Sequence, residues 1–357
     1  MTDWTAIAHP GLEPVVAREL EEAGLRVQVE PGAVTFSAEL AQVAALAHQL
    51  RTPDRLLVTV ARGPARSYEQ LSALVRKADW TPYLRPHGPV EVRATARVSR
   101  LHHREAVQKK VELALRDALR GAGRPQRGAS LTQRVQVRLD DDIATLTVCA
   151  GGELLHRRGW RSRAGKAPLR ENLAASMLIA AGWDGDEALL DPFCGSGTIC
   201  IEAALLAQGR SPFVGRRLAC SEWPALRRGL PAERAPARLA VSIVGADREP
   251  QAIAAAQAQA RAAQVSVEWL NLDVAEVEPP APAGLVVANP PYGKRLGDDV
   301  RGVYSTFGHT LRERFGGWRA CFLSPSPDLA RRVDRGVMQL TTFHNGGTPV
   351  GVYALEL

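Results

Sequence analysis

The first 60 residues switch between two spacings of hydrophobic and polar positions. Apolar residues fall at helical spacing over residues 12–23, which Gly24 can end, and again over residues 39–50. Short apolar runs that predict strands lie at residues 4–8, 27–30, 33–37 and 56–61. The order strand-helix-strand-strand-helix-strand predicts a small ferredoxin-like α+β domain over residues 1–60.

Residues 61–152 continue with mixed elements. We predict helices over residues 67–79 and 104–120 and strands over residues 90–96, 135–139 and 144–149. In the second helix one apolar stripe includes Val107 and Val111, while Lys109 and Lys110 lie off it. This stretch therefore predicts an α+β unit with a basic helix.

From residue 170 onward, strands and helices alternate to the end of the chain. Predicted helices cover residues 170–181, 199–207 and 250–264. Predicted strands cover residues 188–190, 241–246, 267–272, 284–288, 320–324, 337–343 and 351–357. Such alternation predicts a parallel, doubly wound α/β sheet.

Composition narrows the class of protein. The chain has 357 residues, 45% of them hydrophobic and 23% charged, which is typical of a globular protein of two or three domains. Its five cysteines are scattered without CxxC spacing, so we expect neither a disulfide framework nor a metal site. There is no apolar run near the ~20 residues of a membrane helix, and the start does not resemble a signal peptide. We therefore expect a cytoplasmic protein with no membrane association.

The net charge of +7 is concentrated in one part of the chain. Residues 85–170 hold 19 Lys and Arg against 8 Asp and Glu, whereas the rest holds 26 against 30. A clustered basic excess attracts a polyanion, although a solvated basic face has the same composition. The densest part lies in residues 153–169, which we predict to be a basic linker. The candidate contacts to a polyanion are Arg157, Arg158, Arg161, Arg163, Lys109 and Lys110.

Polar and glycine-rich motifs follow three of the predicted strands. Gly195 and Gly197 lie in a strand-to-helix turn that is neither a Walker loop nor a full GxGxxG, so it can be a ligand cradle or a plain turn. Asp247 could accept the hydroxyl groups of a ribose, and Asp273 the amino group of an adenine. Each aspartate alone is also typical of a helix cap or turn, but the carboxyl ends of parallel strands meet at one edge.

The most specific motif is Asn289-Pro290-Pro291-Tyr292, which directly follows a strand. A proline turn is the alternative explanation. The chemistry that fits is methylation of an exocyclic amine, whose lone pair is delocalised into the base. The Asn289 amide oxygen and the Pro290 carbonyl can accept the two amine hydrogens, while Tyr292 stacks on the base. Positioning would then supply much of the rate.

The motifs DPFCGSGT and NPPYGKRLG together resemble those of Rossmann-fold, S-adenosylmethionine-dependent amino methyltransferases. With HPGLE near the start, LHRRGWR and APLRENLAA before the first motif, and Asn345-Gly346-Gly347 near the end, the chain resembles the THUMP-domain RNA guanine-N2 methyltransferases. The resemblance implies a ferredoxin-like domain (1–60), a THUMP RNA-binding domain (61–152) and a Rossmann-like methyltransferase domain (170–357). It also implies S-adenosylmethionine as cofactor, S-adenosylhomocysteine as product, and no metal.

The family motifs imply a role for individual residues. Asp191, Gly195 and Gly197 would line the methionine end of the cofactor, with Pro168 and Asn172 near it, and Phe193 and Thr198 would also bind the cofactor. Asp247 would hold the ribose and Asp273 the adenine. The target base would be held by Asn289, Pro290, Pro291 and Tyr292.

The chain departs from a minimal unit in one respect. Asp247 lies 56 residues after Asp191, where roughly 20 are expected, because of an insert over residues 208–240. A similar insert is typical of the ribosomal-RNA branch of the resembled family, so 23S rRNA is favoured over tRNA. No physical role for the insert follows from its sequence.

The leading hypothesis is methylation of the N2 amine of a guanosine in structured RNA by a monomeric enzyme. A DNA adenine-N6 methyltransferase is the alternative enzyme, because the same Asn-Pro-Pro-Tyr motif suits that amine, but no helix-turn-helix reader is evident. A non-catalytic RNA-binding or assembly protein is the third hypothesis.

Overall fold

The computed structural model describes residues 1–120, 131–161, 169–226, 237, 239–292 and 299–357. Within these ranges the chain forms two seven-stranded sheets. The elements of the N-terminal half are β1 (Thr2–Ile7), α1 (Glu13–Glu22), β2 (Val27–Glu30), β3 (Ala33–Ala38), α2 (Leu40–Ala47), β4 (Arg55–Pro64), α3 (Tyr68–Lys77), β5 (Val90–Arg97), α4 (Arg104–Leu119), β6 (Gln133–Asp140) and β7 (Ile143–Cys149).

The elements of the C-terminal half begin with the helix that the sequence predicts over residues 170–181. They are α5 (Glu171–Ala180), β8 (Ala188–Asp191), α6 (Thr198–Ala207), β9 (Ile243–Ala246), α7 (Pro250–Ala263), β10 (Glu268–Leu270), β11 (Gly284–Ala288), α8 (Val300–Arg314), β12 (Arg319–Ser324), α9 (Pro327–Val333), β13 (Met338–Asn345) and β14 (Thr348–Glu356). Helices α8 and α9 were not predicted from the sequence.

The N-terminal sheet has the order β2-β3-β1-β4-β7-β6-β5. Its first four strands are all antiparallel to their neighbours, and this topology confirms the predicted ferredoxin-like unit. The predicted boundary at residue 60 falls inside β4. That strand pairs with β1 through residues 55–58 and with β7 through residues 57–64. The two predicted domains therefore share one sheet, which periodicity could not reveal because it does not say which strands pair.

The C-terminal sheet has the order β10-β9-β8-β11-β12-β14-β13. Strands β8 to β12 are all parallel to one another, which confirms the predicted Rossmann-like, doubly wound domain. The sheet is not parallel throughout, because β14 is antiparallel to both β12 and β13. A two-residue turn joins β13 to β14, and so short a connection permits only antiparallel pairing.

The described part of the insert packs on the N-terminal half. The Trp223 indole stacks on Trp4, with ring centroids 6.2 Å apart, and meets Tyr83 edge-on at 5.2 Å. Its Nε1 donates to Gln133 Oε1 at 2.9 Å. Trp223 is 1% exposed, and burying a tryptophan of this kind contributes about 3–5 kcal/mol. The insert therefore packs on the N-terminal sheet and joins it to the C-terminal half.

Helix α1 of the N-terminal half packs in turn on the C-terminal half. Leu12, just before it, and Val15 are buried in the core of the C-terminal half together with Leu173 and Met177 of α5. Arg18 also donates to the backbone oxygen of Ile179 at 3.2 Å. The two halves thus share hydrophobic core as well as hydrogen bonds. In the part of the chain described here, no helix has the length and apolar character needed to cross a membrane.

Candidate active site

The loop after β8 carries two glycines in the left-handed region, Gly195 at φ 52° and Gly197 at φ 80°. A Cβ on Gly195 would meet nothing within 4 Å, so this backbone faces open space. A Cβ on Gly197 would lie 2.5 Å from the Trp269 indole instead. Gly195 therefore fits the predicted ligand cradle, whereas Gly197 is required by its own φ and by the packing of Trp269.

Asp191 and Asp247 come together at the carboxyl ends of β8 and β9. Asp191 is buried, and its Oδ1 accepts from the Phe193 amide at 3.0 Å. Burial raises the pKa of Asp191 well above its usual value, and the Asp247 carboxylate raises it further. Asp247 accepts from the Gly195 amide at 3.0 Å and from the Glu249 amide at 2.9 Å. Asp247 therefore holds the glycine loop in place and retains carboxylate lone pairs for a ligand.

Asp273 lies three residues after the end of β10 and is half-buried. Its Oδ1 accepts from the Ala275 amide at 3.0 Å. This bond caps a turn, which is the alternative role that the sequence allowed for this residue. Asn271 of the same segment donates to the Asp247 backbone oxygen at 2.9 Å. The segments carrying the two aspartates are thus joined, and the proposed contact of Asp273 with adenine stays a prediction.

Asn289 follows β11, the strand paired with β8 on one side and β12 on the other. Its Oδ1 is buried and accepts no hydrogen bond from the described residues. Pro290 is buried, and Tyr292 is half-buried with its side chain against the core of the C-terminal half. A buried acceptor without a partner costs about 1–3 kcal/mol, so its retention at a strand end points to a ligand that donates.

Two residues predicted near the cofactor are engaged elsewhere. Asn172 Nδ2 donates to the Thr52 backbone oxygen at 3.3 Å and to Asp54 Oδ1 at 3.1 Å, so its amide nitrogen joins the two halves. The Thr198 hydroxyl accepts from Arg161 Nη2 at 2.8 Å. Their contact with a cofactor stays a prediction. Pro168 lies outside the described residues.

The prediction that Arg158 binds RNA from a basic linker is wrong. Its side chain is fully buried, with Nε 3.1 Å from Glu202 Oε1 and Nη1 donating to Leu155 O at 2.9 Å. Arg51 approaches the other oxygen of Glu202 at 3.7 Å. The described part of the predicted linker, residues 153–161, is therefore packed structure. The count of charges could not show this, because it does not separate solvated charges from buried pairs.

Arg161 is mostly buried, and its contact with RNA stays a prediction. It is 13% exposed, and its Nε lies 2.8 Å from Glu171 Oε1. Arg157 is 65% exposed, and its Nη1 lies 3.2 Å from Glu153 Oε2. Lys109 and Lys110 are exposed on α4. Arg157, Lys109 and Lys110 are therefore accessible to a polyanion. Arg163 lies outside the described residues.

The cysteines have no reactive environment in the described structure. All five are free and buried. Burial raises the pKa of the Cys194 thiol, which lies in the glycine loop, and that of Cys200 in α6. Neither is poised as a thiolate nucleophile. Within the described ranges, no group of three His, Cys, Asp or Glu side chains could hold a metal ion.

Three residues near the site had no role predicted from the sequence. Trp269 fills the space above Gly197 and Gly245, and no local signal indicated it. Glu202 forms ion pairs with two buried arginines. A carboxylate in the otherwise apolar helix α6 is the sequence signal that could have indicated such pairing. Asn345 donates to the Tyr292 hydroxyl at 2.6 Å, and only its place before two glycines marked it.

Two family models match the chain. Residues 158–350 match the RMKL-like methyltransferase domain, and residues 3–57 match the RlmL ferredoxin-like domain. The first of these covers more than half of the chain.

Two similar proteins agree with these matches. The chain is 33% identical over 372 residues to a ribosomal RNA large subunit methyltransferase K/L of Syntrophotalea carbinolica, covering 96% of this chain and 52% of the relative. It is 31% identical over 363 residues to a putative RNA methyltransferase of Synechocystis (slr0064), covering 97% and 94%. The chain thus spans about half the length of the K/L relatives that it matches.

Among solved structures, a putative methyltransferase, SMU.472, superposes with a TM-score of 0.87 at 29% identity. The match covers 99% of this chain and 98% of that one, and that protein was solved in complex with S-adenosylhomocysteine. Both halves of the present chain therefore have counterparts in one solved molecule.

Proposed function

The chain belongs to the RMKL-like methyltransferase family, and on that premise we propose that it methylates the N2 amine of a guanosine in structured RNA. Ribosomal RNA of the large subunit is the favoured substrate, with tRNA next. The cofactor is S-adenosylmethionine, which leaves as S-adenosylhomocysteine.

The buried, unpartnered Oδ1 of Asn289 is the observation that carries this proposal. An exocyclic amine donates two hydrogens, and the Asn289 amide oxygen lies at a strand end beside the buried Pro290. A carboxylate ligand would leave such an acceptor unsatisfied, because an ionised carboxylate has no hydrogen to donate. The site is therefore matched to a hydrogen-bond donor, such as the amine of a base.

The residues after β8 and β9 fit S-adenosylmethionine. The open space over Gly195 leaves room for a ligand against the backbone, and the buried acid Asp191 lies beside it. Asp191 and Gly195 would hold the methionine end, Asp247 the ribose and Asp273 the adenine. When bound, the cofactor supplies an electrophilic methyl group on a cationic sulfur.

The chain's own residues orient the amine. Asn289 Oδ1 and the Pro290 carbonyl accept its two hydrogens, which draws the nitrogen lone pair away from the ring. Tyr292 stacks on the face of the base and fixes its plane. Since the amine is positioned before it reacts, no strong base is needed, and the surplus proton passes to water after transfer.

RNA is favoured as the substrate by the names of the relatives and by the exposed basic residues. The relatives include a ribosomal RNA large subunit methyltransferase K/L and a putative RNA methyltransferase. Lys109, Lys110 and Arg157 supply exposed positive charge on the N-terminal half and just beyond it. These residues would neutralise phosphates and would bring structured RNA to the catalytic half.

The test is to identify the methylated nucleoside. Purified protein is incubated with methyl-labelled S-adenosylmethionine and, separately, unmodified 23S rRNA transcript, tRNA transcripts and duplex DNA. The products are digested to nucleosides and analysed by mass spectrometry, with Asn289→Ala as the matched control. We expect N2-methylguanosine from RNA and none from the variant. N6-methyladenosine from DNA would support the alternative enzyme, and no transfer to any substrate would support a binding protein.

A further inference from the structure

The β13–β14 hairpin brings Asn345 to Tyr292. Gly346 and Gly347 have φ values of 58° and 87° and separate the paired residues Asn345 and Thr348. A two-residue turn with both φ values positive matches the right-handed twist of the strands and fixes their register. Asn345, the last residue of β13, is thereby held at the tip of the hairpin, where its Nδ2 donates to the Tyr292 hydroxyl at 2.6 Å.

We propose that Asn345 is a positioning residue for Tyr292, and that the turn at residues 9–11 of the N-terminal half holds the hairpin in place for this purpose. The proposal rests on the proposed function in that Tyr292 is taken as the platform for the target base. The consequence is that contacts from the N-terminal half help to fix the position of Tyr292.

The hydrogen bond acts at the tip of the tyrosine ring. Tyr292 follows two prolines, whose φ angles are fixed, and its ring packs on the core of the C-terminal half. These restraints act near the backbone, whereas a stacking ring must also be fixed in tilt. The Asn345 amide restrains the far end of the ring, which sets the plane on which a base would lie.

The turn at residues 9–11 lies against three residues of β13. His9 Nε2 donates to the His344 backbone oxygen at 2.7 Å, and Thr341 Oγ1 donates to the Gly11 backbone oxygen at 2.5 Å. Gly11 has φ 94°, and a Cβ there would lie 1.8 Å from the Thr342 backbone oxygen. Only glycine allows this approach. The turn is therefore seated directly against the strand that ends in Asn345.

The imidazole of His9 is anchored in turn. Its Nδ1 lies 3.8 Å from Asp54, at the end of the segment that leads into β4. Hydrogen bonding to Asp54 raises the pKa of His9, although burial and Arg170 oppose the rise. Asp54 also lies 3.7 Å from His156 Nδ1 and accepts from Asn172 of α5. A continuous set of contacts thus runs from the N-terminal sheet through His9 and the hairpin to Tyr292.

A double-mutant cycle tests the positioning role. Wild type, Asn345→Ala, Tyr292→Phe and the double variant are compared in kcat and in KM for the cofactor, on whichever RNA the wild type methylates. We expect each single change to lower kcat about tenfold with KM for the cofactor unchanged, since a misplaced base loses reactivity. The double variant should be no slower than either single one, because both remove the same bond.

Two outcomes would overturn the inference. One is a double variant whose loss is the product of the two single losses, near a hundredfold, since the residues would then act independently. The other is an Asn345→Ala protein with full kcat. Asn345→Asp should recover part of the activity, because its carboxylate accepts from the tyrosine hydroxyl.

Hydrogen–deuterium exchange tests the role of the turn without relying on activity. His9→Ala should speed exchange of the amides of residues 341–345, while His103→Ala, an exposed histidine of the same half, should leave them unchanged. Unchanged exchange in His9→Ala would mean that the turn does not hold the hairpin. A wild type that methylates adenine, or nothing, would refute the proposed function but would leave this measurement interpretable.

Discussion

Arg158 and Glu202 form an ion pair in which both side chains are fully buried, at 3.1 Å. The arginine follows the N-terminal sheet in sequence, and the glutamate lies on α6, directly behind the glycine loop. Arg158 Nη2 also donates to the Arg51 backbone oxygen. The pair therefore joins the N-terminal half to the helix that begins at the candidate cofactor site.

Replacing Arg158 with alanine should destabilise the protein by about 3–5 kcal/mol, because Glu202 would keep a buried charge with less compensation. Arg157→Ala is the matched control, since its side chain is 65% exposed and its ion pair with Glu153 lies on the surface, so it should cost less than about 1 kcal/mol. Urea unfolding followed by circular dichroism measures both. Equal losses in the two variants would refute this account of the buried pair.

Asn289→Ala should lower kcat by about 10²-fold or more, because the amine loses an acceptor that positions it. Binding of S-adenosylmethionine, measured by isothermal titration calorimetry, should stay close to that of wild type, since Asn289 is assigned to the base. If the variant keeps full activity, the amine-positioning role is wrong. If it loses cofactor binding instead, Asn289 belongs to a different part of the site.

Affinity for S-adenosylmethionine should fall as pH decreases through the raised pKa of Asp191. Below that pKa the carboxyl is protonated, and it no longer attracts the cationic cofactor. The loss approaches about tenfold per pH unit. S-adenosylhomocysteine has no charge on sulfur and should show a weaker dependence.

Asp191→Asn should bind S-adenosylmethionine weakly and with little dependence on pH, because it cannot ionise. Asp186→Asn is the control, since Asp186 is exposed before β8 and should behave as wild type. Titration calorimetry between pH 5 and about 8 makes the comparison. A flat wild-type profile would contradict the role given to Asp191.

Replacing Lys109 and Lys110 with alanine should weaken RNA binding and should reduce the slope of log K against log salt by about 1–2. These lysines are exposed on α4, so each is free to neutralise a phosphate. Arg26 and Arg261 are exposed arginines outside the basic segment, and their joint replacement by alanine removes the same charge. An equal effect from both double variants would mean that binding depends on net charge alone and has no defined surface on α4.

Local sequence patterns determined much of the architecture. The period of apolar residues predicted most helices and strands of both halves, and the strand-end motifs led to Asp191, Asp247 and Asn289. These signals are readable because a residue's helix or strand preference depends on neighbours a few positions away. In a parallel sheet, moreover, strand ends meet at one edge whatever the loop lengths.

Tertiary structure decided what each polar residue does. Arg157 and Arg158 are adjacent and identical in type, yet one is solvated and the other is buried against Glu202, 44 positions away. The insert likewise showed no role until Trp223 was found stacked on Trp4. Asn345 reaches Tyr292 only because a hairpin folds back across 53 residues. Such contacts depend on how whole elements pack and not on local spacing, so the sequence could supply the residues of the site but not their partners.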